Sequence, residues 1–167
     1  SSCGTGKYTD QVMRTSCKSC GTGKYNNLNG KTAESDCLDC VKGQYNPSTA
    51  RSSCSSCGTG KYTDQVMRTS CKLCVKGKYH AQYSRSAESD CIDCAKGKYN
   101  DLNAAASCKI CLTGKYNNQN RRTSETECTH CGIGRYNGQN ARPAESDCSD
   151  CAKGKYNDLN AAASCKI

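Results

Sequence analysis

Eighteen cysteines divide this chain at two fixed spacings. They fall at 3, 17, 20, 37, 40, 54, 57, 71, 74, 91, 94, 108, 111, 128, 131, 148, 151 and 165. All but Cys3 and Cys165 form Cys-x-x-Cys pairs. The second cysteine of each pair opens a phrase that ends in Tyr. "CGTGKY" stands at 3–8, 20–25 and 57–62, with variants "CVKGQY", "CVKGKY", "CAKGKY", "CLTGKY" and "CGIGRY" elsewhere. A repeat that begins at that cysteine runs over 3–19, 20–39, 40–56, 57–73, 74–93, 94–110, 111–130, 131–150 and 151–167. The repeats are 17 or 20 residues long. Long ones add three residues and end in acidic phrases such as "AESDC" or "SETEC". Some copies are nearly verbatim: 1–18 equals 55–72, and 144–167 differs from 87–110 only at Ser149 against Ile92. Self-similarity at so short a period is the mark of a tandem array built by stacking neighbours.

Such repeats cannot rest on an ordinary core. Phe and Trp are absent, and the mean hydropathy is −0.83. Large apolar side chains are needed to offset about 1–2 kcal/mol of backbone entropy per residue. Cysteine at this density marks a scaffold held by disulfides, and disulfides persist in oxidising compartments. An extracellular or cell-surface location is therefore expected. No run is long and apolar enough to be read as a membrane span. The net charge of +9 suits acidic partners such as anionic polysaccharide. Nucleic acid fits the charge but not the compartment. The repeat pattern is interrupted at Ser1 and at Ile167, which leads us to expect a parent chain that continues both ways.

Three readings of the cysteines compete. A redox Cys-x-x-Cys needs a thioredoxin-like α/β setting, and no βαβ pattern surrounds these pairs. Zinc needs four thiolates, which two successive pairs would supply, but Cys3 and Cys165 are then left over. In the loop reading each opening cysteine bonds the next cysteine along, and all 18 are used. Each such bond closes a loop of about 15 residues, worth roughly 3 kcal/mol in the chain-entropy model.

The unit "CGTGKYTDQVMRTSCKSC" resembles ephrin-receptor-like cysteine-rich repeats. It is also similar to the small first module of tumour-necrosis-factor-receptor cysteine-rich domains, and tandem arrays of this kind occur in large extracellular proteins of protists and algae. The resemblance implies the loop pairing, which is Cys3–Cys17, Cys20–Cys37, Cys40–Cys54, Cys57–Cys71, Cys74–Cys91, Cys94–Cys108, Cys111–Cys128, Cys131–Cys148 and Cys151–Cys165. The more elaborate second module of those receptors is missing, which argues against ligand binding of their kind.

Cys-x-x-Gly reads as a tight turn, and the basic-Tyr step after it as a short strand. Tyr8, Tyr25, Tyr45, Tyr62, Tyr79, Tyr99, Tyr116, Tyr136 and Tyr156 share one register, expected to be a structural aromatic ladder against the disulfides. Tyr83 lies outside it. Lys7, Lys24, Lys61, Lys78, Lys98, Lys115, Arg135 and Lys155 hold the neighbouring position, with Gln44 the exception. They read as a solvated face, or as a cationic stripe matched to the acidic endings Glu34, Asp36, Glu88, Asp90, Glu125, Glu127, Glu145 and Asp147. His80 and His130 read as surface residues. Asn46-Pro47-Ser48 is blocked by its proline as an N-glycan acceptor, while Ser and Thr are plentiful enough to carry O-glycans.

No catalytic constellation and no cofactor motif is visible. The expected fold is a small disulfide-rich β architecture with little helix: an elongated rod of nine stapled, hairpin-like repeats, each touching only its neighbours. The expected function is structural, as an extracellular rod, stalk or fibre that self-associates. The alternative is a receptor-like or adhesive ectodomain for a protein or glycan, with the fifth repeat ("YHAQYSRSAESDC") and the seventh ("YNNQNRRTSETEC") as candidate sites. A zinc-binding repeat protein is the remaining alternative.

Overall fold

The local rule of the chain is a hairpin that spans one repeat. A computed structural model describes residues 2–11 and 16–167. After the opening cysteine, the backbone makes a β-turn closed by bonds such as Lys61 N–H to the Gly58 carbonyl at 3.2 Å. The basic-Tyr step then pairs antiparallel with the two residues between the cysteines that end the repeat. Lys7–Tyr8 pairs with Lys18–Ser19, Lys24–Tyr25 with Leu38–Asp39, Gln44–Tyr45 with Ser55–Ser56 and Lys61–Tyr62 with Lys72–Leu73. Lys78–Tyr79 pairs with Ile92–Asp93, Lys98–Tyr99 with Lys109–Ile110, Lys115–Tyr116 with Thr129–His130 and Arg135–Tyr136 with Ser149–Asp150. In the last repeat a single bridge joins Tyr156 to Lys166. Cys-x-x-Cys is thus a strand with a half-cystine at each end. The first cysteine closes its own repeat and the second opens the next.

Nine disulfides hold the hairpins: Cys3–Cys17, Cys20–Cys37, Cys40–Cys54, Cys57–Cys71, Cys74–Cys91, Cys94–Cys108, Cys111–Cys128, Cys131–Cys148 and Cys151–Cys165. The sequence separations are 14 in short repeats and 17 in long ones. The three extra residues of the long repeats form 3-10 turns at Glu34–Asp36, Glu88–Asp90, Glu125–Glu127 and Glu145–Asp147. The fold is therefore a disulfide-rich tandem β-hairpin repeat with almost no helix.

The described chain forms two compact units. One comprises Ser1–Leu73 with Gln82–Asp90, the other Cys74–Ala81 with Cys91–Ile167. Within the first, the Gly23 N–H donates to the Asn46 carbonyl at 2.8 Å and the Asn26 N–H to the Arg51 carbonyl at 3.0 Å. Within the second, the equivalent bonds run from Gly97 to Asn117 and from Asn100 to Arg122. Each hairpin is thus tied by its main chain to the next.

The core that results is small and made chiefly of half-cystines, with polar side chains set among them. Opening cysteines such as Cys40, Cys57, Cys94, Cys111 and Cys131 have no exposed surface. Beside them lie the asparagines that follow the tyrosines, of which Asn26, Asn46, Asn100 and Asn117 are at most 2% exposed. A buried amide is costly unless its groups are bonded, and these are. Asn46 donates to the Lys24 carbonyl of the preceding repeat at 2.7 Å. Asn100 donates to the Lys78 carbonyl at 2.6 Å and to the Leu102 carbonyl at 2.9 Å, and accepts from the Leu102 N–H at 3.1 Å.

Contacts also reach beyond the nearest neighbour, which corrects the expectation of nearest-neighbour stacking. In repeats two to nine, one loop residue sits in the left-handed region: Gly30, Ala50, Met67, Ser84, Ala104, Arg121, Ala141 and Ala161. Its N–H bonds the opening-cysteine carbonyl one repeat back, as Ala50 does to Cys20 at 2.9 Å. For Ala50, Met67, Ser84, Arg121, Ala141 and Ala161 the carbonyl also lies against the turn glycine two repeats back. A methyl group on Gly6 or Gly43 would overlap the carbonyl of Ala50 or Ser84, and one on Gly97 or Gly114 that of Ala141 or Ala161. The turn glycine is required twice over, by its positive φ and by this approach.

Candidate functional site

The two repeat lengths carry two kinds of cross-strand chemistry. In long repeats the basic residue faces an acid, because the second residue between the cysteines is Asp. Lys24 Nζ lies 2.9 Å from Asp39, Lys78 3.6 Å from Asp93, and Arg135 Nε 3.2 Å from Asp150. The seventh repeat has His130 there instead, and Lys115 turns to Glu125 at 3.2 Å. In short repeats the first residue between the cysteines is Lys and faces the tyrosine ring. Lys72, Lys109 and Lys166 place their ammonium groups 5.9, 6.0 and 5.8 Å from the ring centroids of Tyr62, Tyr99 and Tyr156. Each also pairs with the aspartate two residues beyond the tyrosine, at 2.7 Å for Lys72–Asp64 and 2.8 Å for Lys109–Asp101. Lys18 pairs with Asp10 in the same register. The third repeat is short but has Ser55 and Ser56 at these places.

The nine register tyrosines are unequally covered. Tyr8, Tyr62 and Tyr99 are buried, and each belongs to a short repeat followed by a long one. Tyr8 packs on Cys20 and Cys37, and Tyr99 on Cys111 and Cys128, the disulfides of the following repeats. Tyr25, Tyr45, Tyr79, Tyr116 and Tyr136 are half-buried, and Tyr156 is exposed. Burial pushes the Tyr62 hydroxyl above the usual tyrosine range, and the nearby charge of Glu88 adds to this. Tyr83 is 69% exposed.

The acidic endings pair within their own repeats, Glu125 and Glu145 with the stripe cations Lys115 and Arg135 and others with cations outside the stripe. Asp36 accepts from Lys31 at 3.1 Å and from the Ala33 N–H at 3.0 Å, and these bonds hold its carboxyl below the usual range. Glu127 accepts from the Thr123 and Ser124 N–H groups and from Arg122 at 2.7 Å, which lowers its pKa in the same way. Ser124 completes a capping box by accepting from the Thr126 N–H. Arg85–Asp90 and Arg142–Asp147 repeat the pair at 3.9 and 2.6 Å. The backbones of these arginines each form a parallel bridge with a buried or half-buried tyrosine one repeat back: Arg85 with Tyr62, Arg122 with Tyr99 and Arg142 with Tyr116. Glu34 and Glu88 make no ion pair among the described residues and lie exposed.

His80 is not a surface residue. It occupies the buried-asparagine register at 3% exposure, with its N–H bonded to the Ala105 carbonyl at 3.0 Å. The alignment Tyr79-His80 against Tyr99-Asn100 shows this register in the sequence, and the rarity of histidine hid it. His130 is exposed. The asparagine ladder itself is the feature that sequence reasoning missed, although Asn follows Tyr in six of the nine repeats.

Surface clefts are shallow. One of about 400 Å³ is lined by Lys115, Glu125, Thr126, Cys128 and His130, and its acid is already paired. Among the described residues there is no free cysteine and no group of His, Cys, Asp and Glu suited to a metal, so no thiolate is left for a zinc site. Among the same residues, no helix is long and apolar enough to cross a membrane.

With this geometry in place, comparison with protein families finds a match. Residues 81–128 match the family model described as tyrosine-protein kinase ephrin type A/B receptor-like. The chain carries an ephrin-receptor-like cysteine-rich segment. It runs from the fifth repeat to the closing cysteine of the seventh, and contains the whole of the Cys94–Cys108 and Cys111–Cys128 loops. No curated protein matches the chain. The ephrin-receptor-like segment and the disulfides are marks of an extracellular or secreted protein that carries a receptor-like or structural module.

Proposed function

We propose that this chain is a stretch of an extracellular structural protein, a disulfide-stapled rod, stalk or fibre, with the nine sequence repeats as its units. The observation that carries this reading is the repeat-to-repeat bonding itself. Turn glycines, buried asparagines and left-handed residues recur along the repeats, tying hairpins to the next one and in several cases to the next but one. Stability is thereby spread along the repeats, as an array under tension requires. O-glycans on the serine- and threonine-rich loops would suit such a surface, as would lateral self-association. Electron microscopy of the unreduced parent protein tests the proposal. Long uniform filaments that reductant thins or dissolves are expected. Discrete particles on a short stalk would overturn it.

A second reading, an adhesive or receptor-like ectodomain for a protein or glycan, draws on the atypical fifth and seventh repeats and on the ephrin-receptor-like segment that spans them. Alanine changes at Tyr83 and Arg121 that leave all adhesion unaltered would remove its basis.

A further inference from the structure

Charge is unevenly matched in the unit formed by Cys74–Ala81 and Cys91–Ile167. All eight of its acids are in ion pairs: Asp93, Asp101, Glu125, Glu127, Glu145, Asp147, Asp150 and Asp158. Arg135 takes two of them, so seven of the unit's 13 basic residues are paired and six remain.

Three of the six converge. Lys76, Lys96 and Arg121 are exposed and come from the fifth, sixth and seventh repeats. Their backbone segments are fastened together. The Lys96 N–H donates to the Asn120 side chain at 3.1 Å, and the Arg121 N–H to the Cys94 carbonyl at 2.7 Å. The Arg121 carbonyl and Cγ lie against Gly77, the residue after Lys76. The Lys76 N–H is held by the Asn103 side chain at 3.2 Å. Three cations are thus mounted on a rigid, cross-bonded backbone, one per repeat. The acid whose charge Lys76 senses, Asp101, is occupied by Lys109 at 2.8 Å.

We infer that Lys76, Lys96 and Arg121 form a docking surface for an extended, sulfated polysaccharide. Charge in excess of every local partner, presented at successive steps of a repeat, fits a polyanion whose charges also recur along its length, and not a single small anion. The compartment favours polysaccharide over nucleic acid. The inference rests on the adhesive reading above, of which it names one ligand class and one site.

The test measures binding of fluorescent dextran sulfate at about 150 mM salt, where long-range attraction is screened beyond about 8 Å. Unsulfated dextran and a single-stranded oligodeoxynucleotide serve as comparators. The K76Q/K96Q/R121N variant should bind at least tenfold more weakly than the parent chain. The K42Q/K61Q/K155Q variant, which loses the same three charges elsewhere, should lose less than threefold. If the first variant folds poorly by circular dichroism, K76Q/K96Q replaces it with the same expected direction. Equal losses in the two triple variants would show that net charge, not this site, binds, and would overturn the site while leaving the adhesive reading intact. Absence of any dextran sulfate binding by the parent chain would overturn both the site and its ligand class. Tighter binding of the oligonucleotide through the same residues would overturn the choice of polysaccharide.

Discussion

Lys72 lies directly across its hairpin from Tyr62, its ammonium 5.9 Å from the ring centroid and 2.7 Å from an Asp64 carboxylate oxygen. Lysine so placed covers the ring with its methylene stem and satisfies its charge at the rim. It is one cover of the tyrosine, whose hydroxyl also lies within the field of Glu88 in the acidic turn of the following long repeat.

The Tyr62 hydroxyl should therefore ionise late. Its folded pKa is raised, so the neutral ring contributes stability that is fully present below the unfolded value of about 10 and is lost as pH rises through the folded value. The difference in absorbance at alkaline pH between the parent chain and Y62F reports this hydroxyl alone. A difference curve centred at the free-tyrosine value would contradict the burial of Tyr62.

Carboxylates give the opposite dependence. Hydrogen bonds from Lys31, Lys72, Lys109 and Lys166 hold Asp36, Asp64, Asp101 and Asp158 below the usual carboxylate range, and the backbone N–H of Thr123 does the same for Glu127. Each contributes stability present above the unfolded value of about 4, lost as pH falls through its lowered folded value. The thermal midpoint should hold steady from neutrality down to the ordinary carboxylate range and fall below it. Carboxyl carbon shifts followed by NMR should show these five groups titrating last.

Asn100→Ala should cost about 2–4 kcal/mol, because it strands the part-buried Lys78 carbonyl and frees the loop at Leu102. Native-state hydrogen exchange would show faster exchange in the fifth and sixth repeats. A loss confined to the sixth would mean that the amide does not join the two.

Gly43→Ala should be worse than a conformational penalty alone. Left-handed backbone costs a non-glycine residue about 1–2 kcal/mol. The overlap with the Ser84 carbonyl adds to this. Gly58→Ala is the control, since nothing lies within reach of a methyl there. The pair should differ by about 2 kcal/mol or more in chemical unfolding.

Reduction should collapse the structure, while a chelator should leave it unchanged, since each closed loop of about 15 residues is worth roughly 3 kcal/mol and little apolar core exists to replace it. Far-ultraviolet circular dichroism with and without reductant and EDTA checks both arms. Loss of structure on chelation alone would overturn the disulfide account.

Much of this protein is local in sequence, and that part is legible in the residues alone. Cysteine spacing, the turn glycine and the basic-Tyr step all act within about 20 residues, so repeat type and hairpin class follow from the order of residues in a single repeat. What happens between repeats is not legible there. Asn46 reads as an ordinary polar loop residue until its amide is seen on the Lys24 carbonyl of the preceding repeat. Ala50 gives no sign of its left-handed backbone, because that conformation is enforced by the Cys20 carbonyl ahead of it and by Gly6 two repeats back. The acidic endings look like a stripe because sequence shows their charge but not the Lys31–Asp36 and Arg122–Glu127 pairs that neutralise it. His80 looks exposed because sequence alignment places it in the asparagine register but only stacking shows that this register is buried. The sequence by itself thus determined the covalently closed hairpin, whose forces act along the chain. Only the tertiary structure decided which polar groups are buried and which of the described cations are left without an acidic partner, because those outcomes depend on backbone groups brought together from repeats one and two steps apart.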